Sequence, residues 1–278
     1  MLAVLRDLVG RSEEPLVARD PVGLTRVRMF VEAIEDPDPK YLADHIAPPA
    51  LLQAWTMPGL GPVRAGPTAE LYRRLDDAGY PGLIAVGYRQ EYLRHLVPGD
   101  VLTARATIAA VSEEKRTWVG PGYFLSTDTE FTDAAGAVVG RMSWTVLKYR
   151  PTPAAPRAAD ESTLDDPLEV PVTATMIVAG ALATNDYTPI HHDVEAARAA
   201  GFADIFMNIL TTCGLVHRYV GGDIRATEFR LGTPVYPGDT LTFTGRRAGA
   251  VVSVQGRTAR GVHVHGTVTT SLPTVPRS

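Results

Sequence analysis

Cysteine is nearly absent: Cys213 is the single one in 278 residues. One thiol excludes an intramolecular disulfide and a cysteine-based zinc site, so nothing points to an oxidising compartment and a cytoplasmic protein is expected. Long apolar runs are missing too. The opening stretch, MLAVLRDLVGRSEEP, is broken by Arg6 and Asp7 before it reaches signal-peptide length. No later stretch approaches the roughly 18 apolar residues of a membrane span. The expectation is a soluble, non-exported chain with no membrane partner. Positive charge is not in excess either: 27 Lys and Arg stand against 31 Asp and Glu, a formal charge of −4. That balance offers no electrostatic footprint for nucleic acid, and any anionic ligand must be met by local Arg or Lys.

What is present is an ordinary globular composition, 45% hydrophobic and 21% charged, on a chain long enough for two cores. Its clearest break is PTPAAPRAADESTLDDP, residues 151–167, where Pro, Ala and acidic residues displace any apolar periodicity. This reads as a linker between an amino-terminal unit, residues 1–150, and a carboxy-terminal one, residues 168–278.

The same order of events occurs on both sides of the linker. DPDPKY, from Asp36 to Tyr41, matches DYTPIH, from Asp186 to His191: an Asp, a Pro three positions on, and a ring-bearing residue five positions on. PPALLQAWTMPGL, ending at Leu60, matches IFMNILTTCGL, ending at Leu215, and both are apolar at helical spacing. Pro98-Gly99-Asp100 before VLTARATI matches Pro237-Gly238-Asp239 before TLTFTGR, turn chemistry followed by β-branched alternation. Further strands are predicted at Trp118–Phe131, Val138–Tyr149, Val251–Thr258 and Val262–Leu272. One helix followed by a run of antiparallel strands, twice over, is an α+β arrangement in which each sheet wraps a central helix.

The chemistry concentrates in ATNDYTPIHHDVEAARAAGF, residues 183–202. Pro189 lacks an amide hydrogen and pre-sets a turn, which can aim Asp186 and His191 at one point. A carboxylate and an imidazole around one water can take a proton from it and return one elsewhere. The same two residues also have a plain structural reading, an acidic helix cap and a histidine bonded to backbone. Adjacent His191, His192 and Asp193 point in different directions on a turn, so no metal site is expected, and His192 reads as structural.

NDYTPIHHD resembles the signature of the MaoC-like enoyl-CoA hydratases, Asp, any residue, Asn, Pro, aliphatic, His, then a short helix, with Thr188 in the Asn position. The segments IFMNILTTCGLVHRYV and FRLGTPVYPGDTLTFTG resemble the small subunit of the two-subunit actinobacterial hydratases of cholesterol side-chain breakdown. VEAIEDPDPKY, DDAGYPGLIAV and MSWTVLKYRP resemble their partner subunit. The resemblance implies a double hot-dog fold, hydration of a 2-enoyl-CoA with a bulky acyl group, and no cofactor. Dehydration of a 3-hydroxyacyl thioester and non-catalytic acyl-CoA binding are the alternatives. It assigns Asp186 as the carboxylate that activates water and His191 as the imidazole that holds it and shuttles the proton. It places the amide that polarises the thioester at Met207 or Asn208. In the first half Tyr41 stands where the histidine should be, and Pro48 and Pro49 remove amides at the helix start, so that half is expected to be catalytically silent and to shape the pocket. Arg225 and Arg230 are candidates for the phosphates of coenzyme A. A homodimer is expected. The domain by which the larger partner subunit docks an aldolase has no counterpart here, which leaves an aldolase partner open.

Overall fold

In the computed structural model the described residues are 5–60, 65–117, 119–152 and 167–271. Eleven strands form one sheet, antiparallel throughout. In chain order they are β1 (Leu16–Val17), β2 (Gly82–Tyr92), β3 (Thr103–Val111), β4 (Lys115–Thr117), β5 (Gly120–Thr132), β6 (Val138–Tyr149), β7 (Leu168–Pro171), β8 (Ile224–Leu231), β9 (Thr240–Ala248), β10 (Val251–Thr258) and β11 (Gly261–Thr270). The order across the sheet is β1-β3-β5-β6-β2-β8-β11-β10-β9-β7, with β4 paired to β5. The arrangement repeats about its middle: each half runs from a short edge strand inwards to the strand that follows its helices. The two half-sheets join where β2 pairs with β8.

Backbone bonds repeat as well. Val22 accepts from Gly99 and donates to Asp100 at 2.9 and 2.8 Å, and Val172 does the same with Gly238 and Asp239 at 2.8 Å each. The two Pro-Gly-Asp turns therefore pin equivalent strand starts, as their chemistry predicts.

The helices lie on one face of the sheet: α1 (Leu24–Ala33), α2 (Lys40–Ala43), α3 (Pro67–Asp77), α4 (Ala174–Ala183), α5 (Val194–Ala199) and α6 (Ile209–Val220). Helix α6 is buried nearly all round and is the central helix of the second half, with Leu210, Cys213, Leu215 and Val216 fully buried. Helices α1 and α4 approach it through glycine. A Cβ at Gly180 would lie 2.9 Å from Thr211 Cγ2, and one at Gly214 would lie 2.5 Å from the Phe30 ring. The main core runs between these helices and the sheet and includes Phe30, Leu51, Tyr88, Phe131, Phe229 and Phe243 from both halves.

The first half departs from the predicted helix over residues 48–60. It has two 3-10 turns, Pro49–Leu51 and Ala54–Thr56. Pro48 and Pro49 withhold amides at the start and Pro58 closes the segment, which confines any helix to the short stretch between them. Helices α1, α2, α3 and α4 are not among the elements predicted from the sequence. Within the linker, residues 153–166 lie outside the described residues, as do Trp118 and Leu272 at the ends of two predicted strands.

Candidate active site

Asp186 is placed by the way α4 ends. Asn185 takes a left-handed conformation, φ 59°, which Asn tolerates better than most residues. The chain then reverses with two bonds, Asn185 N to Leu182 O at 3.1 Å and Asp186 N to Ala181 O at 2.9 Å, the Schellman pattern. The first half repeats it: Glu35 has φ 51°, Glu35 N donates to Glu32 O at 3.2 Å, and Asp36 N donates to Val31 O at 3.0 Å. Both aspartates therefore occupy the third residue past the last helical one. Three residues after Asp186, Pro189 opens a 3-10 turn, Pro189–His191, that swings the imidazole back.

The result brings His191 Nε2 to 3.6 Å from Asp186 Oδ2, with both side chains buried. His191 Nδ1 lies 2.7 Å from the carbonyl oxygen of Phe206. A carbonyl only accepts, so Nδ1 carries the hydrogen and the neutral ring turns its Nε2 lone pair towards the carboxylate. Burial pushes the His191 imidazole below its ordinary pKa, against the opposing pull of Asp186 and the Phe206 carbonyl.

The carboxylate is held from both sides. Oδ1 accepts from Thr188 Oγ1 at 2.7 Å and from Thr188 N at 3.3 Å; Oδ2 accepts from Asn208 Nδ2 at 3.0 Å. Thr188, the residue that departs from the family signature, therefore supplies a hydroxyl to the carboxylate. Asn208 also donates to Thr184 Oγ1 at 2.8 Å, while its Oδ1 caps α6 by accepting from Thr211 N at 2.9 Å. One side chain thus fixes the start of the central helix and the orientation of the carboxylate. The unpaired amides there also favour negative charge.

Around this pair lies a cavity of about 350 Å³. Its far wall comes from the first half, with Met57, Pro58, Tyr72, Ala85, Trp144 and Val146. Its near wall, from the second half, includes Ile190, Phe202, Phe206, Met207 and Ile209. The short 3-10 segment of the first half leaves this space, where a full helix would be expected to fill it. Asn185 Nδ2 ties the two walls together by donating to Met57 O at 2.7 Å. From β11, His263 reaches the cavity and spans Thr233 O, 2.8 Å from Nδ1, and Thr212 Oγ1, 2.9 Å from Nε2.

Several expected residues stand elsewhere. The amide of Met207 is already donated to Val235 O at 3.1 Å, so it is not free for a ligand. Asn208, the residue that caps the helix, does line the cavity, as does Ile209, whose amide is the first in the helix. Arg225 is turned away: its Nε donates to Ser271 Oγ at 2.8 Å and Nη2 pairs with Asp223 at 2.7 Å. Arg230 is exposed and lies outside the cavity walls. Tyr72 lines the cavity, while Tyr80, Tyr88 and Tyr92 are core residues. His192 bonds the Tyr187 carbonyl at 3.1 Å, and among the described residues no cluster of three or more His, Cys, Asp or Glu could hold a metal.

The counterpart in the first half holds different chemistry. Asp36 accepts from Asp38 N at 3.0 Å much as Asp186 does from Thr188 N. Tyr41 stands in the place of His191, and burial pushes its hydroxyl well above the ordinary tyrosine range. Lys40 stacks over its ring at 4.8 Å.

Comparison with known sequences and structures agrees with this two-part organisation. Residues 8–142 match the model of the FAS1-like dehydratase domain region, and residues 157–271 match that of the MaoC-like domain. The chain is 44% identical over 109 residues to the beta subunit of the 3-oxo-4,17-pregnadiene-20-carboxyl-CoA hydratase of Mycobacterium tuberculosis, covering 35% of this chain and 84% of that one. It is 35% identical over 161 residues to the alpha subunit of the same hydratase, covering 54% of this chain and 51% of that one. The chain thus resembles a fusion of the two subunits, and spans about half the length of the alpha subunit it matches. A MaoC-like dehydratase from Phytophthora capsici has the same fold, with a TM-score of 0.74 at 18% identity over 97% of this chain and 98% of that one.

Proposed function

The chain belongs to the MaoC-like family, and from that membership we propose that it hydrates a 2-enoyl-CoA to the 3-hydroxyacyl-CoA with Asp186 and His191 as its acid/base pair. The observation that carries the reading is the convergence of Asp186 Oδ2 and His191 Nε2, 3.6 Å apart, at the wall of an apolar cavity. Two acceptors at that separation hold one water between them by its two hydrogens. As the water oxygen bonds C3 of the enoyl group, its proton passes to Asp186. The electrons of the C2–C3 double bond move onto the thioester oxygen. The proton then crosses to His191 Nε2 and is delivered to C2, which restores the thioester carbonyl and leaves the pair as it began. In this reading the amide of Ile209, the first of α6 and a cavity-lining residue, stabilises the oxygen while it carries the charge.

The first half is read as catalytically silent. Tyr41 cannot serve as a base at neutral pH with its hydroxyl held by burial in the un-ionised form. Its contribution is the far wall, where Met57, Tyr72 and Trp144 would meet the acyl group. The bulky acyl group named for the mycobacterial relatives, a steroid side chain, is proposed on the same ground.

The test is the ultraviolet absorbance of a steroid-side-chain 2-enoyl-CoA and of crotonyl-CoA with the purified protein, beside Asp186→Asn and His191→Ala. Loss of the enoyl thioester band that requires both residues is expected, faster with the bulky substrate. Turnover of crotonyl-CoA alone would keep the chemistry and overturn the steroid assignment. Binding without turnover, unchanged in both variants, would overturn the enzyme.

A further inference from the structure

The seam between the half-sheets is not closed along its length. Strand β2 pairs with β8 over Gly87–Glu91, against Ala226–Arg230. Beyond Gly87 the arms separate. Residues Gly82–Ala85 keep their pairing with β6. The chain leaving β8 bends instead towards the start of β11, with Gly232 N donating to His263 O at 2.7 Å and Thr233 N to Val262 O at 2.9 Å. The parted strands form a V. On the helix side the V borders the cavity of Asp186 and His191, through Ala85 on one arm and Leu231, Gly232 and Thr233 on the other. On the opposite side of the sheet the same three residues, with Val86 and Gly87, border a second basin of about 610 Å³.

The cross-strand register sets one polar row along this basin. Gln255 pairs with His265, His265 with Arg230, Arg230 with Gly87, and Gly87 with Thr145. Directly paired residues project to the same face, and Gln255, His265, Arg230 and Thr145 all line the basin. Gly87 leaves a gap in the row beside Arg230. Among the described residues Arg230 has no ion pair or hydrogen bond from its guanidinium. A free guanidinium beside a gap suits phosphate oxygens.

We propose that the basin on the outer face of the sheet receives the phosphates of the coenzyme A thioester on Arg230, and that the pantetheine arm passes through the V between β2 and β8 to the Asp186–His191 cavity. This rests on the hydratase reading and adds the route by which the substrate reaches the pair. It also separates the two arginines of the sequence: Arg230 takes the phosphate role, and Arg225, tied to Asp223 and Ser271, does not.

The experiment compares one enoyl group carried by coenzyme A and by N-acetylcysteamine, which has the thioester but no phosphate. Arg230→Glu should raise KM for the coenzyme A thioester about tenfold or more with kcat within about twofold, and Arg230→Gln should do so less. Both variants should leave kcat/KM for the N-acetylcysteamine thioester within about twofold. Arg105→Glu, the same charge change on β3, should alter neither substrate. Equal effects of Arg230→Glu on both thioesters, or no effect on the coenzyme A thioester, would overturn the proposal. If the native protein turns over neither thioester, the hydratase reading is what fails, and the basin is then read by calorimetric titration with free coenzyme A. Weaker binding by Arg230→Glu supports the site, and equal binding overturns it.

Discussion

The carbonyl oxygen of Phe206 holds the Nδ1 hydrogen of His191 at 2.7 Å, and this bond decides which nitrogen of the ring faces Asp186. Without it the imidazole could present either nitrogen. With it, Nε2 is the basic atom as long as the ring is neutral. Burial lowers the pKa of His191, so the neutral ring persists below the ordinary value of about 6.5. The acid limb of kcat/KM should therefore fall below about pH 6.5. A pH–rate profile with its acid limb clearly above that value would show that this imidazole is not the group being titrated.

Asp186→Asn keeps the size of the side chain while removing its charge. Turnover should drop by roughly 100- to 10,000-fold, the usual worth of a positioned acid or base. Unfolding should shift by about 1 to 3 kcal/mol at most, because the asparagine still accepts from Thr188 Oγ1 through its carbonyl oxygen but turns its amide against the Asn208 donor. A variant that unfolds, or one that keeps a tenth of its activity or more, would return Asp186 to the structural reading.

Asn208 links two tasks that one substitution can separate. Asn208→Asp preserves an oxygen to cap α6 at Thr211 N but places a second carboxylate within hydrogen-bond distance of Asp186 Oδ2. Like charges so close raise the pKa of one of them. The helix should survive, with unfolding shifted by no more than about 1 kcal/mol from the cap itself, while the acid limb of activity moves upward. Asn208→Ala should lose the cap as well. A pH profile unchanged in Asn208→Asp would mean that the side chain serves the helix alone.

Removing the Tyr41 hydroxyl by Tyr41→Phe tests the silence of the first half. The ring keeps its buried place beneath Lys40, so turnover should stay within about twofold of the native protein. A loss of tenfold or more would assign the first half a chemical role.

The sequence motif was informative where local chemistry governs. The Asp-Pro-His spacing, the two Pro-Gly-Asp turns and the alternating strands each depend on neighbours a few residues away, and each is found in the structure. The apolar run after Pro48 misleads because helical spacing alone cannot register two missing amides and a terminating proline. Thr184 and Asn208, which flank the carboxylate, were not legible as its supports. The sequence offers Asn208 for its backbone amide, whereas its side chain does the positioning, and Thr184 carries no motif. The gap beside Arg230 depends on the pairing of β2 with β8, strands far apart in the chain, and no local pattern reveals it.

Two buried histidines outside the acid/base pair should make the fold sensitive to mild acid. Burial pushes His217 down to about 3 and His263 down to about 4. Each is neutral in the folded protein, with His217 Nε2 at 2.8 Å from Thr227 Oγ1 and His263 joined to Thr233 and Thr212. In the unfolded chain both regain a pKa near 6.5. Above that value neither state binds the proton and the histidines cost nothing. As pH falls through about 6.5, the unfolded chain takes up protons that the folded chain cannot, so stability is lost at roughly 1 kcal/mol per pH unit for each histidine. The loss continues until the folded pKa values are reached. Urea unfolding between pH 6.5 and 4.5, above most carboxylate titration, should show this slope, and His217→Gln should reduce it by about one histidine's share. A native slope near zero over that range, or one unchanged in His217→Gln, would mean that His217 is protonated in the folded state and that its burial does not hold it neutral.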